Sequence, residues 1–111
     1  MQVIDLVTKL NLQVFSGNNG LDREVNTGYV SDLLSDVMGN SEAGSVWITL
    51  QTHKNTMAIA SLRDLAAIIL VNSQEPEEDT AEQSNEEGIP ILGTTLPTFE
   101  ITGKLYDLLK K

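Results

Sequence analysis

The sequence predicts a three-layer α/β/α domain on a largely parallel sheet, and three observations carry that expectation. Residues 46–110 alternate strand-like and helix-like segments, the order that builds βαβ units with right-handed crossovers. Ala66-Ala67-Ile68-Ile69-Leu70-Val71 is almost wholly apolar, as a strand becomes when helices cover both its faces. A chain of 111 residues holds one core comfortably and two poorly, so residues 1–111 are expected to form a single domain.

The elements follow in chain order. Met1 to Leu10 reads as a short helix with Val3, Leu6, Val7 and Leu10 on one face. Leu12 to Phe15 is a brief strand, closed by the turn formers Ser16-Gly17-Asn18-Asn19-Gly20. Arg23 to Val30 is extended, with Val25 and Tyr29 expected to share a face. An antiparallel element early in the chain would make the sheet mixed. Asp32 to Met38 is a helix, with Ser31 as its N-cap and Gly39 as its stop. Val46-Trp47-Ile48-Thr49-Leu50 is a strand by its β-branched and aromatic content.

Thr52 or His53 opens a helix running to about Leu65, and Ala66–Val71 is the apolar strand after it. Pro76 to Glu87 is an acidic helix with proline in its first turn and Gly88 at its end. Ile89 to Leu92 is a short buried strand. Thr95 to Lys110 is the last helix, with Glu100 and Lys104 spaced for an i,i+4 ion pair. Trp47, Phe15, Phe99 and Tyr106 are expected in the core, and Tyr29 at an interface or crevice rim.

Composition removes several function classes. A formal charge of −9, with the basic residues Lys9, Arg23, Lys54, Arg63 and Lys104 scattered and only Lys110 and Lys111 adjacent, argues against nucleic acid or an anionic membrane as partner. No apolar run is long enough to span a bilayer, and the first residues, with Asp5 and Lys9 in an amphipathic pattern, do not read as a secretory signal. A cytoplasmic location is the default. Without cysteine there is no disulfide, no thiolate nucleophile and no zinc-thiolate site. No metal site, cofactor or catalytic constellation is expected. His53 is the sole histidine, lacking the further ligands a metal needs.

A phosphate-binding P-loop is also excluded. Gly39-Asn40-Ser41-Glu42-Ala43-Gly44-Ser45-Val46 has the glycine spacing but lacks the lysine and the following hydroxyl, and Glu42 stands where phosphate would lie. Asp32 and Asp36, at i,i+4, would share an exposed helix face without a cleft.

The segment Gly20-Leu21-Asp22-Arg23-Glu24-Val25-Asn26-Thr27-Gly28-Tyr29-Val30-Ser31-Asp32-Leu33-Leu34-Ser35 resembles the signature of the DRTGG domain, a module related to the N-terminal domain of HPr serine kinases. The resemblance extends through Leu33–Met38, Trp47–Thr49, Gln51–Asn55 and Phe99–Tyr106. It implies an HPr-kinase N-terminal-domain-like fold and a regulatory or assembly role. The larger relatives hold their chemistry in other domains, none of which is expected here. Thr27 stands where the family commonly has the first of two glycines, and threonine does not suit a tight phosphate loop. Asp22, Arg23, Thr27, Gly28 and Tyr29 are therefore signature or interface candidates. Arg23 is expected to bridge to Asp22, Asp32 or a carbonyl.

The ligand candidates come from fold logic. Open α/β sheets bind ligands beyond the carboxyl ends of their strands, near helix N-termini. Thr49, Gln51, Thr52, His53 and Asn55 cluster at one such junction, and Thr94 at a second that could line the same crevice. The alternative at both is structural, with Thr52 and Thr95 as helix caps.

The expectation is a non-enzymatic module that forms a homodimer and senses a small ligand, a nucleotide among the options. Two alternatives stand beside it. One is a small enzyme or enzyme subunit using His53 on a phosphorylated substrate. The other is an adaptor docking a basic partner through the acidic run Glu75, Glu77, Glu78, Asp79, Glu82, Glu86 and Glu87. That run should make the least stable, most loosely docked helix.

Overall fold

A computed structural model describes residues 1–110, so the domain bound at 111 and the place of Lys111 lie outside the described residues. The elements are α1 (Val3–Lys9), β1 (Gln13–Ser16), a 3-10 turn (Asn18–Gly20), β2 (Thr27–Val30), α2 (Leu34–Asn40), β3 (Ser45–Thr49), α3 (Asn55–Leu62), β4 (Ala67–Leu70), α4 (Glu78–Glu87), β5 (Ile91–Gly93) and α5 (Thr98–Leu109). The five-stranded sheet has the order β1-β5-β4-β3-β2. β2, β3, β4 and β5 run parallel to one another, while β1 pairs antiparallel with β5. The mixed sheet expected from the sequence is present.

Alternation along each central strand divides the core in two. Val46 and Ile48 of β3, with Ala67 and Ile69 of β4, face α1 and α5, where Leu6, Ile101 and Leu105 meet them. Trp47, Ile68 and Leu70 face the opposite way, toward Val37 of α2 and Met57 and Ala60 of α3. Helices therefore cover both sheet faces, which is why β3 and β4 are buried at every position. Trp47 is fully buried, and its indole N–H donates to the carbonyl of Ser31 at 2.8 Å.

Several local expectations are corrected. Val25 and Tyr29 pack into different clusters, Val25 with α1 and Tyr29 beside α2 and α3, and so share no face. α2 starts later than expected: Ser31 accepts from the Leu33 amide in a local turn, and Leu33 takes the N-cap position. Gly39 lies inside α2, which ends when Ser41 bonds the Val37 carbonyl through both its amide and its hydroxyl. α3 opens at Asn55 with Lys54 at its N-cap, so Thr52 caps nothing. Pro76 precedes α4, whose N-cap is Glu77. Pro97 precedes α5, so Thr95 is no cap.

The core expectation for α5 also fails at two aromatics. Ile101 and Leu105 face inward with Leu108 beside them, and that choice of face turns Phe99 and Tyr106 outward, 88% and 69% exposed. Glu100 and Lys104 form no ion pair; the ion pair on this helix joins Lys110 to Asp107 at 3.2 Å.

Helix α4 ends at Gly88, whose φ of +65° is the left-handed stop that glycine takes without strain. It is docked more firmly than its composition suggests. Ser84 is fully buried; its hydroxyl donates to the Ile89 carbonyl at 2.6 Å and accepts from Ser16 at 2.9 Å. A polar contact replaces the apolar face this helix lacks.

Candidate functional site

The residues singled out from the sequence fall at opposite edges of the sheet. Asp22 and Arg23 lie on the approach to β2, near the amino ends of the parallel strands. The Arg23 guanidinium donates to the carbonyls of Gly88 (2.7 Å), Leu65 (3.4 Å) and Glu87 (3.5 Å), and to Asp64 at 3.2 Å. These are the ends of α4 and the entry to β4. Of the partners expected for Arg23, the carbonyl is the one found; Asp22 and Asp32 are not among them.

Thr27, Gly28 and Tyr29 are strand residues, in register with Ser45, Val46 and Trp47. The segment is no phosphate loop. A Cβ on Gly28 would stand 3.1 Å from Leu105 Cδ2, so this glycine lets α5 settle against β2. Tyr29 is half-buried, and its hydroxyl donates to Asp36 Oδ1 at 2.9 Å. Hydrogen bonds from Ser31, then Tyr29, hold the Asp36 carboxyl below the ordinary carboxylate range. The same bond raises the Tyr29 phenol. Asp36 thus faces Tyr29, whereas Asp32 precedes the helix and faces β3, so the two aspartates do not form one helix-face pair.

At the carboxyl edge, Thr49 donates its hydroxyl to Asp32 Oδ1 at 2.7 Å, and the Leu50 amide donates to the same oxygen at 2.8 Å. Gln51 donates its side-chain amide to the Asp32 carbonyl at 2.9 Å. Donors expected for a ligand are engaged by a carboxylate and a carbonyl, so this junction ties the β3–α3 connection to the start of α2. Thr52 accepts the Glu77 amide on its carbonyl at 3.0 Å. His53 is exposed; its carbonyl caps the first turn of α3 by accepting the Thr56 amide and hydroxyl. Its imidazole makes no hydrogen bond to a described residue. Asn55 is exposed, at the rim of a depression between α3 and α4.

Thr94 lies two strands away from Thr49, with β4 between them, and the two do not line one crevice. Its amide donates to the Leu70 carbonyl at 3.0 Å and its hydroxyl accepts from the Leu96 amide at 3.2 Å. It borders a crevice of about 500 Å³ between α1 and α5, with Lys9, Asn11, Thr95, Lys104 and Asp107 around it. A second cavity of about 310 Å³ adjoins it, reaching Gln13, Phe15 and Ser73. Asn11, Asn72 and Ser73 near this edge hold left-handed backbone, with φ of +54°, +54° and +61°. Lys9 and Lys104 are 95 positions apart in sequence, and only the antiparallel placement of β1 brings the end of α1 beside β5. No local motif could have joined them.

The Gly39–Val46 segment runs from helix to strand, the reverse of a P-loop, and sits at the amino ends of the strands. Among the described residues, no group of three or more His, Cys, Asp or Glu side chains is placed to hold a metal ion. No helix among them is long and apolar enough to cross a membrane. The carboxylates of α4 are exposed, as an electrostatic face requires.

No family model matches the chain. Over 97% of its length it is 26% identical to an HPr kinase/phosphorylase from Levilactobacillus brevis, and it spans 40% of that relative's length. Its fold is similar to the CBS and DRTGG domains of the regulatory region of a Clostridium perfringens pyrophosphatase, solved in complex with the activator diadenosine tetraphosphate. The TM-score is 0.68 at 12% identity, covering 94% of this chain and 45% of that one.

The fold is DRTGG-like. The resemblance read from residues 20–35 is therefore supported by the architecture of the chain as a whole. Within this DRTGG-like fold, Arg23 and Gly28 serve as packing residues at the sheet's amino edge and at α5. The open crevice is at the opposite edge, around Thr94.

Proposed function

We propose that this chain is a non-enzymatic regulatory module that takes a small phosphorylated ligand, with a nucleotide as the favoured class, and that self-associates as a homodimer. The observation that carries the ligand part is the Thr94 crevice. It lies beyond the carboxyl end of β5, where α/β sheets bind ligands, and joins two lysines to threonine hydroxyls and an asparagine amide in a chain of net charge −9. Lys9 and Lys104 would carry the phosphate charge, and Thr94, Thr95 and Asn11 would donate or accept at its periphery. The likeness to a regulatory region that binds a diadenosine polyphosphate supports the class of ligand.

The alternative built on His53 has less support. A general base needs an orienting partner and a pocket converging on it. His53 is exposed, its ring has no hydrogen-bond partner among the described residues, and it lines neither the Thr94 crevice nor the depression between α3 and α4.

Calorimetric titration with AMP, ADP, ATP and diadenosine tetraphosphate tests the proposal. The expected result is saturable binding of at least one of them, weakened about tenfold or more by Lys9→Ala with Lys104→Ala, as loss of charge-assisted contacts implies. Chromatography of the recovered nucleotide should show it unchanged. Binding unaffected by the double substitution, or conversion of the nucleotide, would overturn the assignment.

A further inference from the structure

The outward face of α5 is apolar, indented and electrically neutral, in a chain that is otherwise strongly acidic. Phe99 and Tyr106 are 88% and 69% exposed, and Gly103 stands between them. Positions 99, 103 and 106 follow the i, i+4, i+7 spacing of one helical face. A Cβ on Gly103 would meet nothing within 4 Å, so no contact within the chain calls for glycine. Glycine there costs about 1 kcal/mol relative to alanine in mid-helix. A shallow depression open to solvent lies there between the two aromatic rings. Thr102 Oγ1, on the same depression, is buried without a hydrogen-bond partner.

We infer that this face, continued onto the edge of β2, is where a second copy of the chain docks. The inference rests on the self-association proposed above and assigns its surface. Phe99 and Tyr106 stand symmetrically about the Thr102–Gly103 midpoint. An antiparallel crossing on a two-fold axis there places Phe99 of one copy against Tyr106 of the other, twice over, with the Gly103 backbones close together. That is the self-complementarity an isologous contact demands.

Charge favours the same occupant. Glu100 and Asp107 balance Lys104 and Lys110 on α5, so the approach avoids the repulsion that two copies of α4 would suffer. A stable dimer buries on the order of 1,600 Å² in total, more than one helix face provides. The remainder is available alongside: β2 is an edge strand, Val30 is 44% exposed, and a groove of about 370 Å³ separates β2 from α5.

Sedimentation equilibrium of the full chain, with and without Phe99→Ser plus Tyr106→Ser, tests this, with Leu33→Ser plus Leu62→Ser as a control on exposed apolar residues elsewhere. The expected result is a wild-type dimer, a dissociation constant raised about tenfold or more by the α5 pair, and no change with the control pair. Gly103→Cys, in a chain without cysteine, should cross-link copies under mild oxidation. A dimer untouched by the α5 pair, with no Gly103→Cys cross-link, would overturn this surface and leave self-association standing. A wild-type monomer at every concentration would remove self-association itself, and this surface with it.

Discussion

The side chain of Arg23 closes the amino edge of the sheet by donating to the carbonyl of Gly88 across 65 positions of sequence, at 2.7 Å. The same guanidinium reaches the Leu65 and Glu87 carbonyls, so one side chain ties the end of α4 to the entry of β4. Its contact with Asp64 contributes little, because that carboxylate is 76% exposed. Arg23→Ala should therefore destabilise by about 2 kcal/mol, the scale of charge-assisted hydrogen bonds to carbonyls. Arg23→Lys should recover less than half of that, since an ammonium cannot reproduce the planar fork. Urea denaturation measures both. Equal stability of the Lys variant and wild type would refute the carbonyl-clamp role.

Asp32 should prove a structural residue of the carboxyl edge. Asp32→Ala removes the acceptor shared by Thr49 and the Leu50 amide, leaving the buried Thr49 hydroxyl without it. The expected cost is about 1 kcal/mol, with faster amide exchange at Leu50 and Gln51. Nucleotide binding at the Thr94 crevice should be unchanged, because β4 lies between the two clusters. Loss of nucleotide binding in this variant would return the ligand to the Thr49 junction.

Ser84→Ala should loosen α4 selectively. The substitution strips the buried Ile89 carbonyl and the Ser16 hydroxyl of a partner, at about 1–3 kcal/mol. Hydrogen exchange should rise across residues 78–87 before it rises in β3 or β4, since without the Ser84 contacts the repulsion among the α4 carboxylates is no longer offset. Added salt should slow that exchange in wild type by screening the carboxylates. Uniform exchange across all elements would contradict a separately unfolding α4.

The Tyr29–Asp36 pair should give stability a defined pH dependence. Asp36 titrates below its ordinary range, so its contribution is present above that range and fades as pH falls through the depressed value. Tyr29 titrates above its ordinary value, so its contribution is present below about pH 10 and fades as pH rises through the raised value. Tyr29→Phe should lower the urea midpoint across the neutral range, and the deficit should shrink below about pH 4 and above about pH 10. A deficit constant at all pH values would mean that the hydroxyl acts by packing alone.

Much of the fold was legible because its signals are local. The apolar run at 66–71 and the β-branched run at 46–50 declare buried strands, and Gly88 declares the end of a helix. The α5 aromatics were not legible, because Phe99 and Ile101 are two residues apart and cannot both face the core. Packing with Leu105 and Leu108 decides for Ile101. The start of α2 shifted because the Ser31 hydroxyl accepts the Leu33 amide in a local turn instead of capping the helix.

The candidate site was legible only in part. Fold logic pointed to the carboxyl edge and to Thr94, which borders the crevice proposed above as the ligand site. It could not show that Asp32 occupies Thr49, nor that Lys9 and Lys104 arrive from opposite ends of the chain.

Light scattering on a size-exclusion column, run with and without diadenosine tetraphosphate or an adenine mononucleotide and paired with a thermal melt, tests the ligand-sensing module most directly. The expected result is a dimer whose melting temperature rises with at least one nucleotide, and loses that rise when Lys9 and Lys104 are replaced by alanine. A monomer whose melting temperature is indifferent to every nucleotide would contradict it.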